Sequence, residues 1–272
     1  MGNLVLTLVH TKEVQMENEK AFYKRLEGKG VSRREFMKFC TYLTATLGLS
    51  SSFVPKVAEV FAAPAQRPPV IWLHFGECTG CSEATLRTQY PYVDDLVLEI
   101  LSLEYHETIM AAAGQQAEDQ LQAAVKKYDG KFICVVEGAI ATKYNGGYGK
   151  IGGRTFLEIG KEVCSKAAGV ICIGSCSAFG NIQAAAPNPG GYKGVGDALG
   201  IKTVNVAGCP PNPVNFVGTV LNYLLLGKRP ALYGLGRPLF AYGKTIHDQC
   251  PRRSHFENEE FIEEFGSEEA AA

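Results

Sequence analysis

Apolar runs rich in β-branched residues alternate with amphipathic stretches along most of this chain. Five runs predict strands that are buried on both faces: Pro69–Phe75, Leu98–Tyr105, Phe132–Val136, Val170–Ile173 and Thr203–Val206. Helices are predicted among and after these strands, over Ser82–Arg87, Gln115–Lys127, Thr155–Ala168 and Asn212–Leu226. Because continuous apolar strands separated by helices pack as parallel sheets, the pattern predicts an α/β fold with a doubly wound parallel sheet.

The N-terminal segment has a different pattern. Residues Ser32–Lys38, Ser-Arg-Arg-Glu-Phe-Met-Lys, match a twin-arginine (Tat) export signal, and an apolar stretch too short to span a bilayer follows from Phe39 to Val54. Small residues between Ala62 and Gln66 then offer cleavage sites. We therefore predict that residues 1–66 are a Tat leader, and the charged segment opening at Met16 suggests that translation begins there. The alternative is an amphipathic surface helix with a chance arginine pair.

The charge balance changes where the predicted leader ends. Residues 1–67 carry ten Lys/Arg and six Asp/Glu, whereas the remainder carries 17 basic and 22 acidic residues, a net charge of −5. No basic stripe is visible, so nucleic acid is not an expected partner. The remaining residues, about two hundred, are enough for one full domain plus a fragment, and no apolar run is long enough to cross a bilayer.

Four of the nine cysteines follow predicted strands. Cys78 and Cys81 form a CxxC after the first strand, Cys176 follows the fourth and Cys209 follows the fifth. Because open α/β sheets bind ligands at the carboxyl ends of their strands, the four thiols should converge there. Four thiolates suit either zinc or an iron–sulfur cluster. Of the four, one pair, Cys78 and Cys81, is close in sequence, whereas zinc sites usually have two such pairs. Cys209 is also followed directly by Pro210, as in some iron–sulfur ligand sequences. Both features favour the iron–sulfur cluster.

Simpler roles are expected for most of the other cysteines. Cys134 and Cys172 fall inside predicted strands and Cys164 lies on a predicted helix, so all three should be buried as small apolar side chains. Cys40 belongs to the leader and would leave with it. Glu137 ends the third strand at the same edge as the four thiols. We expect it to line the cluster pocket or a subunit interface; the alternative is a solvated loop carboxylate.

Taken together, these segments resemble the small subunit of periplasmic nickel–iron hydrogenases of the Tat-exported uptake type. The matching segments are Val70–His74 with Glu77–Glu83, Val136–Ile140, Gly174–Cys176, Gly208–Pro213 and His247–Cys250. The resemblance extends from the twin-arginine motif almost to the end of the chain. It implies a flavodoxin-like domain over residues 67–230, followed over residues 231–272 by the beginning of a small cluster-binding C-terminal domain.

The resemblance implies an electron-transfer subunit. In such proteins the cysteines that match Cys78, Cys81, Cys176 and Cys209 bind the iron of a proximal [4Fe-4S] cluster, which connects a nickel–iron centre in a separate large subunit with an external acceptor. The expected partners are that large subunit and a cytochrome or other redox protein. The expected location is the periplasm or the periplasmic face of the inner membrane, with membrane association only through a partner. No catalytic residue is expected, and the isolated chain should be inactive.

The C-terminal segment departs from the family pattern. His247 and Cys250 match the start of a distal cluster set, one His and three Cys in the family, but no cysteine follows them. Past Arg253 the chain instead carries seven glutamates and no Lys or Arg. We therefore expect a C-terminally truncated subunit, with further iron–sulfur clusters only in a full-length chain; a natural single-cluster variant is the alternative.

Two other functions remain open from the sequence. One is a quinone-reductase-type [4Fe-4S] subunit of related fold, against which the twin-arginine motif argues. The other is an exported binding module stabilised by zinc. A visible absorption spectrum would separate the zinc module from the two cluster proteins.

Overall fold

The computed structural model describes residues 20–62, 67–88 and 92–267, and a five-stranded parallel sheet lies at its centre. The sheet strands are β1 (Pro69–His74), β2 (Ser102–His106), β3 (Ile133–Glu137), β6 (Gly169–Ile173) and β7 (Val204–Val206), and two hairpins add β4 (Lys150–Ile151), β5 (Arg154–Thr155), β8 (Leu232–Tyr233) and β9 (Arg237–Pro238). The sheet order β2-β1-β3-β6-β7 is the flavodoxin-like order, with its topological switch point between β1 and β3. The predicted fold class is therefore confirmed.

Helices connect the strands and flank the sheet. They are α1 (Arg33–Thr46), α2 (Val54–Ala62), α3 (Gly80–Leu86), α4 (Gln115–Lys127), α5 (Phe156–Cys164), α6 (Gly174–Phe179), α7 (Asn181–Ala184), α8 (Val195–Leu199), α9 (Pro213–Leu226), α10 (Leu239–Tyr242) and α11 (Arg253–Glu257). A further helix over residues 20–28 precedes α1. No helix among the described residues has the length and apolar content needed to cross a membrane.

Both faces of the sheet are buried. On one face Leu73 and Val136 pack in a single apolar cluster with Leu121 of α4 and residues of α5 and α8. On the other face Trp72 packs edge-to-face against Phe216 of α9, with 5.3 Å between ring centroids. Alternate residues of each strand therefore point into two separate cores, as two-sided burial of a parallel sheet requires.

The predicted second strand begins too early. Residues Leu96–Ile100 form a π-helical turn, and β2 starts only at Ser102. Leu96 and Ile100 are buried in the core, which explains their apolar character without a strand. A short apolar run cannot be assigned to strand or buried helix from periodicity alone.

Residues 20–62, most of the predicted leader, pack against the domain. Phe36, Cys40 and Leu43 of α1 and Phe61 of α2 are buried in the same apolar cluster as Trp72. The Lys29 Nζ lies 2.6 Å from an Asp94 carboxylate oxygen of the domain. Leader and domain therefore share one core. The predicted cleavage region between Ala62 and Gln66 lies at residues 63–66, outside the described residues, as does Met16.

Candidate metal centre

The four cysteines that follow strands lie at the carboxyl edge of the sheet. Cys78 lies in the loop between β1 and α3, Cys81 is in the first turn of α3, Cys176 is in the first turn of α6 after β6, and Cys209 follows β7. None forms a disulfide; Cys78 and Cys209 are exposed, and Cys81 and Cys176 are half-buried. Burial raises the pKa of the Cys81 thiol, and Glu137 and the other three thiols raise it further.

The spacing of the four sulfur atoms is wide. Among the described residues, the one group of three ligand atoms that all lie within 4.8 Å of one another is formed by His74, Glu77 and Glu137. No three of the four thiols come that close. As placed, no three of these sulfur atoms are close enough together to bind one ion in common.

The backbone approaches the thiols closely at Gly174. Its φ is +91°, and a Cβ built on it would lie 2.4 Å from the Cys81 sulfur. The adjoining loops are tied together, because the Ser175 N–H donates to the Gly208 carbonyl (2.7 Å) and the Gly208 N–H donates to Ser175 Oγ (3.2 Å). The Asn181 side-chain amide also lies 3.5 Å from the Cys176 sulfur. Glycine at position 174 is therefore a requirement of the site rather than of the turn alone.

Replacing Gly174 with alanine should displace the Cys81 thiol. A positive φ strains any L-residue by about 1–2 kcal/mol, and the 2.4 Å approach to sulfur adds a steric clash. We expect Gly174→Ala to lose most of its bound metal in a metal assay of the purified chain. Gly200→Ala is the matched control, because Gly200 also has a positive φ of +68° but has open space around its Cβ position. Equal metal content in the two variants would contradict this account of the site.

A buried polar cluster lies directly behind the thiols. Glu137, 1% exposed, accepts hydrogen bonds from the backbone N–H groups of Cys81 (3.0 Å) and Ser82 (3.0 Å) and from the Ser82 hydroxyl (2.6 Å). His74 Nδ1 lies 3.3 Å from Glu77 Oε1 and 3.9 Å from Glu137 Oε2. Burial lowers the pKa of His74, and Glu137 opposes that shift. Glu137 is therefore part of a buried network, not a solvated carboxylate.

This polar cluster extends beyond what the sequence indicated. Glu137 was expected at this edge, but its hydrogen bonds to α3 were not predictable from spacing. Nothing in the sequence pattern singled out His74, which lies within an apolar strand. The signal that could have found it is the register of the sheet, which pairs His74 directly with Glu137.

The other cysteines lie in apolar surroundings or far along the chain. Cys134, Cys164 and Cys172 are all buried, and the Cys134 and Cys164 sulfur atoms are 3.8 Å apart. Their predicted burial is confirmed. His247 is exposed and Cys250 half-buried, and a 3₁₀ turn, His247–Gln249, places them next to each other.

The fold and the four-thiol edge together define a flavodoxin-like protein with a cysteine-ligated centre. Comparison with known proteins narrows this class. Residues 78–223 match the family model described as NADH ubiquinone oxidoreductase, 20 Kd subunit. Residues 242–271 match the model of the C-terminal region of the NiFe/NiFeSe hydrogenase small subunit.

Similar proteins are hydrogenase small subunits over nearly the whole chain. The periplasmic [NiFe] hydrogenase small subunit of Solidesulfovibrio fructosivorans is 52% identical over 91% of this chain and 78% of its own length. The quinone-reactive Ni/Fe-hydrogenase small chain of Wolinella succinogenes is 47% identical over 90% and 70%. The structure of the Ni-Fe-Se hydrogenase from Desulfomicrobium baculatum matches with a TM-score of 0.70 and 35% identity, covering 74% of this chain and 80% of that one. The chain belongs to the nickel–iron hydrogenase small-subunit family.

Family membership defines the role of the chain. It is the electron-transfer subunit of a heteromeric hydrogenase, an oxidoreductase, and it works with a large subunit. The 20 Kd subunit model covers only the domain with the four thiols, whereas the relatives over the whole chain are hydrogenases, so the quinone-reductase alternative is not supported. The C-terminal match includes the acidic segment after Arg253.

Proposed function

We propose that Cys78, Cys81, Cys176 and Cys209 bind a proximal [4Fe-4S] cluster. When bound, the cluster supplies one-electron chemistry between the nickel–iron centre of the large subunit and an external acceptor. The observation that carries the proposal is the arrangement of four free thiols from three separate loops at one edge of the sheet. A cubane binds one thiolate at each of its four irons, so it requires four cysteines.

Zinc fits this arrangement less well. A tetrahedral zinc ion with 2.3 Å bonds holds its sulfur ligands about 3.8 Å apart. No three of the four described thiols lie within 4.8 Å of one another, so a zinc ion would have to draw the loops together. A cluster whose irons each bind one thiolate accepts the wider spacing. The separation of the four thiols therefore favours the cluster over a zinc ion.

Metal and sulfide analysis of the full chain, reconstituted anaerobically, tests the proposal. The expected result is about four irons and four sulfides per chain with broad visible absorption, since one cubane binds four thiolates. A colourless protein that binds one zinc would support the zinc-stabilised module instead. The zinc content of the same sample separates these outcomes directly.

We further propose that residues 1–66 direct Tat export to the periplasm. Two observations support this: the Arg33 and Arg34 side chains are exposed on α1, and a relative that is 52% identical is named as periplasmic. Residues 67–230 would then form the flavodoxin-like domain and residues 231–272 the beginning of the C-terminal cluster domain. His247 and Cys250 would belong to a distal cluster that needs further ligands, and a cytochrome or another redox protein would accept the electrons.

A further inference from the structure

The helix that carries Cys81 lacks a cap of its own. Thr79 precedes α3 with a left-handed φ of +62°, and its side chain does not bond to the helix N–H groups. Its hydroxyl donates instead to Glu77 Oε1 at 3.2 Å. The first N–H groups of any helix need acceptors from outside the helix. Those of Cys81 and Ser82 find them on Glu137, which belongs to another element of the fold.

Glu137 binds these groups as a carboxylate with both oxygens occupied. Oε1 accepts from the Cys81 N–H, and Oε2 accepts from both the N–H and the hydroxyl of Ser82. The last residue of β3 therefore fixes the backbone of Cys81, while Gly174 closely approaches its sulfur. Cys81 is thus held by one contact to its backbone and one to its sulfur.

The charge of Glu137 has little compensation. Within the described part of the chain, the one basic side chain within 4.0 Å of its carboxylate is His74, at 3.9 Å. The pKa of His74 is lowered by burial, so the ring is a weak counter-charge. A charge held inside the protein interacts more strongly with its neighbours than one in water. The Glu137 carboxylate is next to the cluster ligand, because Oε1 accepts from the Cys81 N–H at 3.0 Å.

We propose that Glu137 is a positioning residue for Cys81 and that its buried negative charge lowers the reduction potential of the cluster. The inference rests on the proposed function, because it requires a cluster on the four thiols. Reduction adds one electron to the cluster. An uncompensated carboxylate behind one ligand opposes that electron, whereas hydrogen bonds to the carboxylate weaken its effect. Local charge is one of the ways in which a protein sets the reduction potential of an iron–sulfur cluster.

The test compares two variants with opposite expected effects in the reconstituted full chain. Glu137→Gln keeps the shape and removes the charge. We expect it to raise the ratio of reduced to oxidised cluster about tenfold at a fixed potential, equivalent to a midpoint shift of about +59 mV for a one-electron couple. Ser82→Ala removes one donor to the carboxylate and leaves the charge, so the midpoint should shift in the negative direction. Glu104→Gln is the control, because Glu104 is on β2 and bonds Ser102 and Tyr128; its midpoint should match the parent.

Potential titration followed by electron paramagnetic resonance, with iron analysis of each sample, separates the outcomes. A Glu137→Gln chain with full iron and an unchanged midpoint would overturn the inference. If that variant cannot hold iron, the Ser82→Ala midpoint decides: a negative shift supports the inference and no shift overturns it. Absence of iron from the parent chain would refute the proposed cluster itself, which is a distinguishable failure.

Discussion

Replacement of any one of Cys78, Cys81, Cys176 and Cys209 with alanine is expected to abolish the cluster. Each thiol comes from a fixed position at the edge of the sheet, and the loops that carry them provide no spare cysteine there. A cubane that loses one of four thiolates exposes an iron atom to solvent and to loss. Iron and sulfide analysis after anaerobic reconstitution, with the visible spectrum, measures the effect.

Cys164→Ala is the matched control for these variants. Cys164 is buried, and its sulfur packs 3.8 Å from that of Cys134, away from the four-thiol edge. Removing a buried sulfur reduces the free energy of unfolding by about 1 kcal/mol but should leave the iron content unchanged. Full iron in two of the four ligand variants would refute the assignment, and loss of iron from Cys164→Ala would show that the assay reports on folding instead.

Export is expected to fail when Arg33 and Arg34 are both replaced with lysine. The Tat signal is an address read by a receptor, and lysine keeps the charge but not the planar set of donors of arginine. Both side chains are exposed, whereas Phe36 and Cys40 provide the buried contacts of α1. The double variant should therefore fold and pack normally while remaining in the cytoplasm.

Cell fractionation followed by immunodetection measures this effect. Thr41→Ser is the control, because Thr41 is another exposed residue of α1 but lies outside the Ser32–Lys38 motif, and this variant should be exported like the parent. Appearance of the Arg33→Lys/Arg34→Lys chain in the periplasm would refute Tat export. Cytoplasmic retention of the control would show instead that any change in α1 blocks the process.

The sheet was predictable because its strands are continuous apolar runs. The observed β1, β3, β6 and β7 lie within one or two residues of the predicted bounds. The helices α6, α7 and α8 were not predicted, since they are four to six residues long and lie in segments rich in glycine and small residues. Such short elements are stabilised by tertiary packing and carry little periodic signal.

The packing of the leader was not predictable either. An export signal already accounts for the apolar residues in 20–62. Their presence therefore did not indicate that this segment packs against the domain. Their burial depends on contacts with α9 and with Leu96–Ile100, which are distant in sequence. The sequence pattern shows that a segment is apolar, but only the three-dimensional structure shows which residues pack against it.

At the site, the sequence was sufficient to predict that the four thiols lie at one edge of the sheet, but not which residues surround them. Each cysteine followed a strand, and parallel strands end at one edge, so convergence required no further information. The hydrogen bonds of Glu137 depend on the orientation of a side chain toward a helix 55 residues away. The close contact between Gly174 and Cys81 likewise depends on the twist and register of neighbouring strands.

Reduction by hydrogen tests whether the proposed cluster relays electrons from the nickel–iron centre of the large subunit. The full chain would be exposed to hydrogen with and without a nickel–iron large subunit, and the reduced cluster quantified by electron paramagnetic resonance. No reduction of the chain alone is expected, because a cluster that relays electrons does not activate hydrogen. With the large subunit, we expect a signal approaching one spin per chain that disappears in Cys176→Ala. Reduction of the isolated chain by hydrogen, or hydrogen oxidation by the complex with the cluster never reduced, would contradict the electron-relay role of the cluster.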